Sequence, residues 1–107
     1  MNLENDYPLV LRQDVLWGDM DAFGHVNNTV YFRYFEDARI AYFKAAGIGP
    51  LINEASAGPI LANTQCQFRL PLDFPDRIHI GARSEILSAR KFNMEYAVYS
   101  EQHDSLC

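Results

Sequence analysis

Residues 29–46 read TVYFRYFEDARIAYFKAA, and this stretch predicts the longest element of the fold. Its apolar residues recur three or four positions apart, which places them along one side of about four and a half helical turns. The residues of this apolar stripe are Tyr31, Tyr34, Phe35, Ala38, Tyr42 and Ala45. We therefore expect one amphipathic helix from Thr29 to Ala46 that buries the stripe against another layer of structure.

Residues at both ends of the stretch are typical of helix boundaries. The short polar side chains of Asn27, Asn28 or Thr29 can accept hydrogen bonds from the first free N–H groups of the helix. Gly47 follows the periodic run, as expected for a residue just past a helix C-terminus. These residues fix the limits of the predicted helix.

Four stretches around this helix alternate apolar and polar residues, which is the period of a half-buried β-strand. They are residues 9–17, 60–69, 78–86 and 92–98. Residues 71–76 contain two prolines, which remove ladder donors and indicate a turn. Short connections between the last three strands favour an antiparallel sheet, and the helix must cover one face of it. The predicted fold class is α+β, with two layers.

The composition limits the classes of function. The chain has 107 residues, of which 49% are hydrophobic, and this is enough for one compact domain over residues 1–107. The formal net charge of −5 gives no electrostatic support for binding nucleic acid or an anionic membrane. No stretch approaches the roughly 18 consecutive apolar residues of a membrane span. Cys66 and Cys107 form no C-x-x-C pair, which argues against a disulfide framework or zinc site and favours a reducing, cytoplasmic setting.

The segment just before the helix carries the candidate chemistry. Residues 19–28 read DMDAFGHVNN, an acid-rich turn that leads directly into the helix N-terminus. The first N–H groups of a helix are free donors with a partial positive charge, and they would polarise a carbonyl bound there. The Asp21 carboxylate could then attack the carbonyl carbon or activate a water molecule. On local pattern alone, acids and asparagines before a helix are more often caps and turn residues.

The pattern D-x-D-x-x-G-H-V-N-N, followed by an aromatic helix, resembles the hotdog-fold thioesterases of the 4-hydroxybenzoyl-CoA thioesterase type. Plant acyl-ACP thioesterases are more distant relatives of this family. The resemblance covers nearly the whole chain and includes Phe68-Arg69-x-Pro71 followed by Asp76. It implies an antiparallel sheet wrapped around the long helix, and hydrolysis of acyl-CoA to a carboxylic acid and CoA without a metal or other cofactor.

The resemblance also implies roles for residues of the motif. Asp21 matches the family's catalytic acid, and the amide of Asn28 matches the donor that polarises the carbonyl. His25 and Asn27 match residues of the acyl-ACP branch that are assigned to orientation or catalysis, although many CoA-specific members lack them. Asp19 matches a further acid, which we interpret as a turn former. Whether Asp21 acts as nucleophile or general base stays open.

Substrate contacts are expected outside the motif. Tyr31 lies near the helix start and is either a core residue or part of an acyl pocket. Arg90 and Lys91 are the only adjacent basic pair, and such a pair in a turn can bind the phosphates of CoA or simply face solvent. Arg69 and Arg83 are weaker candidates for the same role.

Two other functions are compatible with the same residues. An acyl carrier protein could replace CoA as the thiol carrier, and a noncatalytic hotdog module could bind acyl-CoA as a sensor. The carboxylate at position 21 argues against a pure binding module. A calcium loop is rejected because Phe23 and Val30 occupy positions where oxygen ligands are needed.

The resemblance finally implies assembly into a homodimer or homotetramer. Related enzymes join their sheets edge to edge through the strand after the helix, here about residues 60–68, and each active site draws on both subunits. The family pattern continues into one more strand after Cys107. We therefore expect the 107 residues to be a C-terminally truncated form whose vacant sheet edge is shielded by other chains or loops.

Overall fold

A computed structural model describes residues 2–47, 63–88 and 91–107. The described part contains one long helix, four strands and two single turns of 3-10 helix, at Leu3–Asn5 and Trp17–Asp19. In chain order the helix and strands are β1 (Leu9–Asp14), α1 (Asn28–Ala45), β2 (Arg77–Ser88), β3 (Lys91–Ser100) and β4 (Ser105–Leu106). No helix among the described ranges has the length and apolar character needed to cross a membrane.

The four strands form one sheet in the order β1-β2-β3-β4, and every neighbouring pair is antiparallel. In the centre of the sheet Ile80 lies opposite Leu11 on one side and Val98 on the other. Helix α1 covers the face that carries the fully buried Ile78, Ile80 and Ala82. These strand residues pack in one cluster with Tyr31, Tyr34, Phe35 and Ala38 of the helix. The predicted α+β class with two layers is confirmed.

The predicted helix is confirmed to within one residue at each end. Asn27 is the cap, because its side-chain oxygen accepts the N–H of Thr29 at 3.0 Å. The helix ends at Ala45, and Gly47 has φ +79°, a left-handed conformation that favours glycine after a helix.

The apolar stripe is confirmed over the first three turns and shifts in the last one. Tyr31, Tyr34, Phe35 and Ala38 are buried, but Phe43 is buried at the C-terminal end and the predicted Ala45 is exposed. The pairing of β1 with β2 ends at Ala82, so of the described strands only β2 and β3 lie beneath the last turn. Phe43 reaches this narrower surface and packs edge-on against Phe92, with ring centres 6.3 Å apart.

The first predicted strand is shorter than expected. Residues 9–14 form β1, whereas Leu16 and Trp17 leave the sheet, and Trp17 is 73% exposed. The physical reason is a competing hydrogen bond, because the N–H of Leu16 donates to the carboxylate of Asp19 at 3.1 Å. A side chain that accepts a nearby backbone N–H replaces the ladder bond with a turn.

The predicted strand at residues 60–69 is wrong for its described part. Residues 60–62 lie outside the described residues, and residues 63–69 belong to no strand. A strand requires a neighbour, and among the described residues the only backbone bond from this segment joins the N–H of Arg69 to the C=O of Cys107 at 3.0 Å. Alternation of polar and apolar residues therefore does not by itself produce a ladder.

The N-terminal segment covers part of the opposite face of the sheet. The Tyr7 ring lies against Gly81 of β2, where an added Cβ would be only 2.7 Å from Cγ of Tyr7. The guanidinium of Arg83 lies 4.8 Å from the centre of the same ring. Gly81 thus permits an aromatic side chain to approach the strand backbone closely.

Candidate active site

The acid-rich segment forms a closed loop between the 3-10 turn that follows β1 and helix α1. Met20 and Val26 pair across its neck as an isolated antiparallel bridge. Inside the loop the N–H of Asp21 donates to the C=O of His25 at 2.9 Å, and the N–H of Gly24 donates to the C=O of Asp21 at 3.0 Å. Gly24 has φ +78°, so the loop uses glycine where the backbone turns left-handed.

Asp21 presents a carboxylate that is only partly engaged. Its Oδ1 accepts the N–H of Phe23 at 2.8 Å, which holds the side chain in a local turn. Its Oδ2 has no hydrogen-bond donor among the residues that the structure describes, and the residue is half-buried. The second oxygen is therefore available to a bound molecule.

The N-terminus of α1 leaves one donor uncommitted. The side chain of Asn27 accepts both the N–H of Thr29 at 3.0 Å and its hydroxyl at 2.8 Å, and the C=O of Asn27 accepts the N–H of Val30 at 3.0 Å. The N–H of Asn28 has no acceptor within the described ranges. Such a donor at a helix N-terminus can stabilise developing negative charge on an oxygen.

The predicted residues His25 and Asn27 lie in the same loop and contribute differently. The backbone C=O of His25 closes the loop, while its side chain is exposed and contacts no hydrogen-bonding group of the described part. The side-chain oxygen of Asn27 is engaged in the helix cap, where it accepts two hydrogen bonds from Thr29. The structure thus places Asp21, His25, Asn27 and Asn28 together.

Asp19 is more central to this region than the turn-former interpretation suggests. It is only 5% exposed, and its carboxylate accepts hydrogen bonds from three donors. Oδ1 binds the guanidinium of Arg33 at 2.5 Å, and Oδ2 binds the hydroxyl of Tyr34 and the N–H of Leu16, both at 3.1 Å. Arg33 follows 14 positions later, so no local sequence pattern reveals the pair.

These contacts determine the charge of the cluster. Burial alone would raise the pKa of Asp19, but the hydrogen bonds from Arg33 and Leu16 hold it below its ordinary value. The same carboxylate raises the pKa of Arg33. Burial, followed by the negative charge of Asp19, raises the pKa of the Tyr34 hydroxyl. Asp19 is therefore an ionised, fully hydrogen-bonded carboxylate at neutral pH.

Tyr31 lies one turn into the helix and lines a groove of about 380 Å³ between β3 and residues 65–69. Its hydroxyl is 3.4 Å from the C=O of Leu70, and its ring packs edge-on against Phe68 with centres 5.0 Å apart. Burial raises the pKa of Tyr31 to about 12. The groove is also lined by Phe35, Cys66, Met94, Tyr96 and Val98. Tyr31 is thus both a core residue and a groove residue.

Of the two predicted phosphate-binding residues, only Lys91 is described, and it lies away from the loop. Arg90 lies outside the described residues. Lys91 is the first residue of β3 and pairs with Ser88, the last residue of β2, at the end of the β2–β3 hairpin. The C-terminal part of α1 lies over this region, since the hydroxyls of Tyr42 and Ser84 are 2.8 Å apart. An 18-residue helix is about 27 Å long, so Lys91 lies roughly a helix length from Asn28.

The two weaker candidates for phosphate binding, Arg83 and Arg69, differ in the contacts they already make. Arg83 is engaged, because its Nε donates to Glu95 at 2.8 Å and its guanidinium covers Tyr7. Arg69 lines the groove beside Tyr31. Within the described residues, no group of three His, Cys, Asp or Glu side chains is placed to hold a metal ion.

Comparison with known proteins gives a match over most of the chain. Residues 15–107 match the model of the thioesterase-like superfamily. A protein of Aquifex aeolicus (strain VF5) is 30% identical over 95 residues, which cover 88% of this chain and 74% of that protein. YsmA of Bacillus subtilis (strain 168) is 26% identical over 85 residues, which cover 79% of this chain and 56% of YsmA. The chain thus spans little more than half the length of this second relative.

A solved structure extends the similarity to the fold. The thioesterase from Thermus thermophilus, solved in complex with coenzyme A and Zn, is 30% identical and superposes with a TM-score of 0.79, covering 94% of this chain and 72% of that one. The fold and the sequence match agree with the hotdog-fold thioesterase that the D-x-D-x-x-G-H-V-N-N motif predicts. The chain belongs to the thioesterase-like superfamily.

Proposed function

We propose that this chain hydrolyses an acyl-CoA thioester to a carboxylic acid and free CoA, with the loop of residues 20–28 as the catalytic segment. The observation that carries the proposal is the pair of uncommitted groups at the two ends of this loop. Oδ2 of Asp21 and the N–H of Asn28 have no partner in the described part of the chain. Thioester hydrolysis needs a base or nucleophile and a donor for the oxyanion.

The chemistry assigns one role to each group. The thioester oxygen accepts the N–H of Asn28, whose position at the helix N-terminus favours the negative charge that develops there. The Asp21 carboxylate either removes a proton from the attacking water or attacks the carbonyl carbon itself to form an anhydride that water then cleaves. In both routes the C–S bond breaks, the sulfur leaves as CoA thiolate and is protonated, and water supplies the acid oxygen.

The acyl group would enter the groove that Tyr31 lines. Its walls combine apolar or aromatic side chains, such as Phe35, Met94 and Val98, with polar ones, and it begins one helical turn from Asn28. The polar wall residues are Gln65, Gln67, Arg69 and Glu95. Arg90 and Lys91 would bind the nucleotide phosphates of CoA. Since Lys91 lies at the far end of α1 from the loop, we propose that these two residues serve a site completed by a second copy of the chain in a homodimer. The complex of the Thermus thermophilus relative with coenzyme A supports CoA as the thiol carrier.

The two alternative functions predict different substrates. An acyl-ACP thioesterase would prefer the carrier protein, whereas a noncatalytic module would bind acyl-CoA without turnover. The net charge of −5 disfavours binding of an acidic carrier protein. The available carboxylate oxygen of Asp21 argues against a module that only binds acyl-CoA.

A substrate panel separates these functions. Thiol release by the purified protein is measured with short, long and aromatic acyl-CoA, with the matching acyl-pantetheine and with acyl-ACP. We expect hydrolysis of at least one acyl-CoA and a higher KM for the pantetheine thioester that lacks the nucleotide. Exclusive turnover of acyl-ACP, or binding of acyl-CoA without thiol release, would reject the proposal.

A further inference from the structure

We infer that Asp19 is a positioning residue, which holds the Asp21 carboxylate and the Asn28 N–H in a fixed relation to each other. The inference rests on the proposed function, because it names how that same site is organised. Asp19 lies two residues before Asp21, and its buried carboxylate is occupied by hydrogen bonds from Leu16, Arg33 and Tyr34, so it acts through other groups.

The carboxylate of Asp19 fixes the entrance of the loop to the helix. Arg33 and Tyr34 belong to the second turn of α1, and both donate to this carboxylate. The N–H of Leu16 donates to it from the other side, so the chain entering the loop is tied to the helix surface. Three donors on one buried carboxylate leave it little freedom to move.

The backbone of Asp19 fixes the exit of the loop. Its C=O accepts the N–H of Asn27, the helix cap, at 3.0 Å. The Met20–Val26 bridge lies next to this bond, one residue towards the middle of the loop on each side. One residue therefore holds both ends of the segment that carries Asp21 and leads to Asn28.

A second interpretation is that Asp19 only stabilises the fold. Its loss would then reduce the fraction of folded protein without changing the turnover of the folded molecules. A positioning role predicts a lower kcat per folded molecule, because small displacements of a catalytic group from its productive geometry are costly.

The experiment compares Asp19→Asn with Arg33→Met, which removes the ion pair from the helix side. Arg12→Met is the matched control, since it removes a surface ion pair with Glu4 on the opposite face of the sheet. Hydrolysis is normalised to the folded fraction from circular dichroism. We expect both loop variants to lose about 10-fold or more in kcat with little change in KM, while the control retains wild-type turnover.

Two double variants test whether the loss of kcat in Asp19→Asn depends on the ion pair with Arg33 and on the Asp21 carboxylate. The double variant Asp19→Asn/Arg33→Met should lose no more than the worse single variant, because both break the same contact. In an Asp21→Asn background, Asp19→Asn should cause little additional loss. Unchanged kcat per folded molecule in Asp19→Asn, or a fully additive double variant, would overturn the inference.

Amide hydrogen exchange separates this inference from the proposed function. Asp19→Asn should accelerate exchange in residues 20–28 while residues 35–45 keep their wild-type protection. Unchanged exchange in residues 20–28 would overturn the positioning role even if the wild type is an active enzyme. Wild-type protein that hydrolyses no acyl thioester, with accelerated loop exchange in the variant, would reject the proposed function and keep the structural role.

Discussion

Asp19 and Asp21 are separated by one residue, yet their surroundings differ completely. Asp19 is buried and accepts three hydrogen bonds, including one from the Arg33 guanidinium. Asp21 is half-buried, and only one of its oxygens is bound, by the N–H of Phe23, among the residues that the structure describes. A carboxylate whose oxygens are all engaged suits structural support, whereas a partly free carboxylate suits reaction with a substrate.

The Asp19 ion pair should make stability depend on pH in the acid range. Because its folded pKa lies below the value of about 3.9 for an unfolded aspartate, the stabilisation is complete above that value. It is lost as pH falls through the folded pKa, since the unfolded chain then binds more protons. Thermal unfolding between pH 5 and 2 should therefore show a shallower loss of Tm in Asp19→Asn and in Arg33→Met than in wild type. Equal slopes in all three proteins would contradict this assignment.

His25 should contribute less to turnover than Asp21. Its side chain is exposed and makes no hydrogen bond to another described group, so nothing in the described part of the chain orients it. Its backbone C=O, which a substitution retains, makes the loop contact. We expect His25→Ala to lower kcat by less than about 10-fold. Steady-state kinetics check this value, and a loss as large as that of Asp21→Asn would indicate a coupled His–Asp pair.

The sequence predicts the residues of the candidate site better than it predicts the contacts that hold them in place. The motif places Asp21, His25, Asn27 and Asn28 in one loop, and the structure brings them together. The role of Asp19 depends on Arg33 and Tyr34, which contact it only once the helix packs against the preceding segment. Contacts of this kind carry no short-range sequence signal.

Among the elements, the helix is the most predictable. Its period, its Asn27 cap and Gly47 are all local features, so its limits are visible in the sequence without knowledge of tertiary contacts. Residues 63–69 have an equally regular alternation, but a strand also needs a neighbouring chain segment to accept its hydrogen bonds. The short β4 is the converse case, because two residues are too few to show a period.

The close approach of Tyr7 to β2 gives a prediction for stability. In Gly81→Ala the added Cβ would lie 2.7 Å from Cγ of Tyr7, so the N-terminal segment must move away from the sheet. We expect a loss of about 1–3 kcal/mol in the free energy of unfolding, measured with urea. Gly18→Ala is the matched control, since its added Cβ meets no atom within 4 Å. Equal stability of the two variants would contradict the tight contact.

For the whole molecule, the apolar residues around the loop favour association. Leu16, Trp17 and Phe23 are 60%, 73% and 86% exposed, and all three lie on or beside the loop of the candidate site. Large apolar side chains that are exposed in one segment are typical of interaction surfaces. We propose that a second copy of the chain covers them, which agrees with the two-subunit sites that the sequence resemblance implies.

Sedimentation tests this assembly. We expect wild-type protein to sediment as a dimer or larger species at micromolar concentration. A Trp17→Ser/Phe23→Ser variant should dissociate more readily, because it removes apolar area from the proposed interface. An Ile40→Ser variant is the matched control, since Ile40 is 45% exposed on helix α1, away from both the loop and the end of the β2–β3 hairpin. A wild-type monomer over the whole concentration range would contradict the proposal.

The central claim is that the Asp21 carboxylate drives thioester cleavage, and thiol release from the best acyl-CoA substrate tests it most directly. The rate is measured for wild type, for Asp21→Asn and for Asp6→Asn, a matched change at an exposed residue of the N-terminal segment. We predict a loss of about 100-fold or more in kcat for Asp21→Asn, with wild-type Tm and an unchanged rate in the control. Turnover by Asp21→Asn within twofold of the wild-type value would contradict the claim.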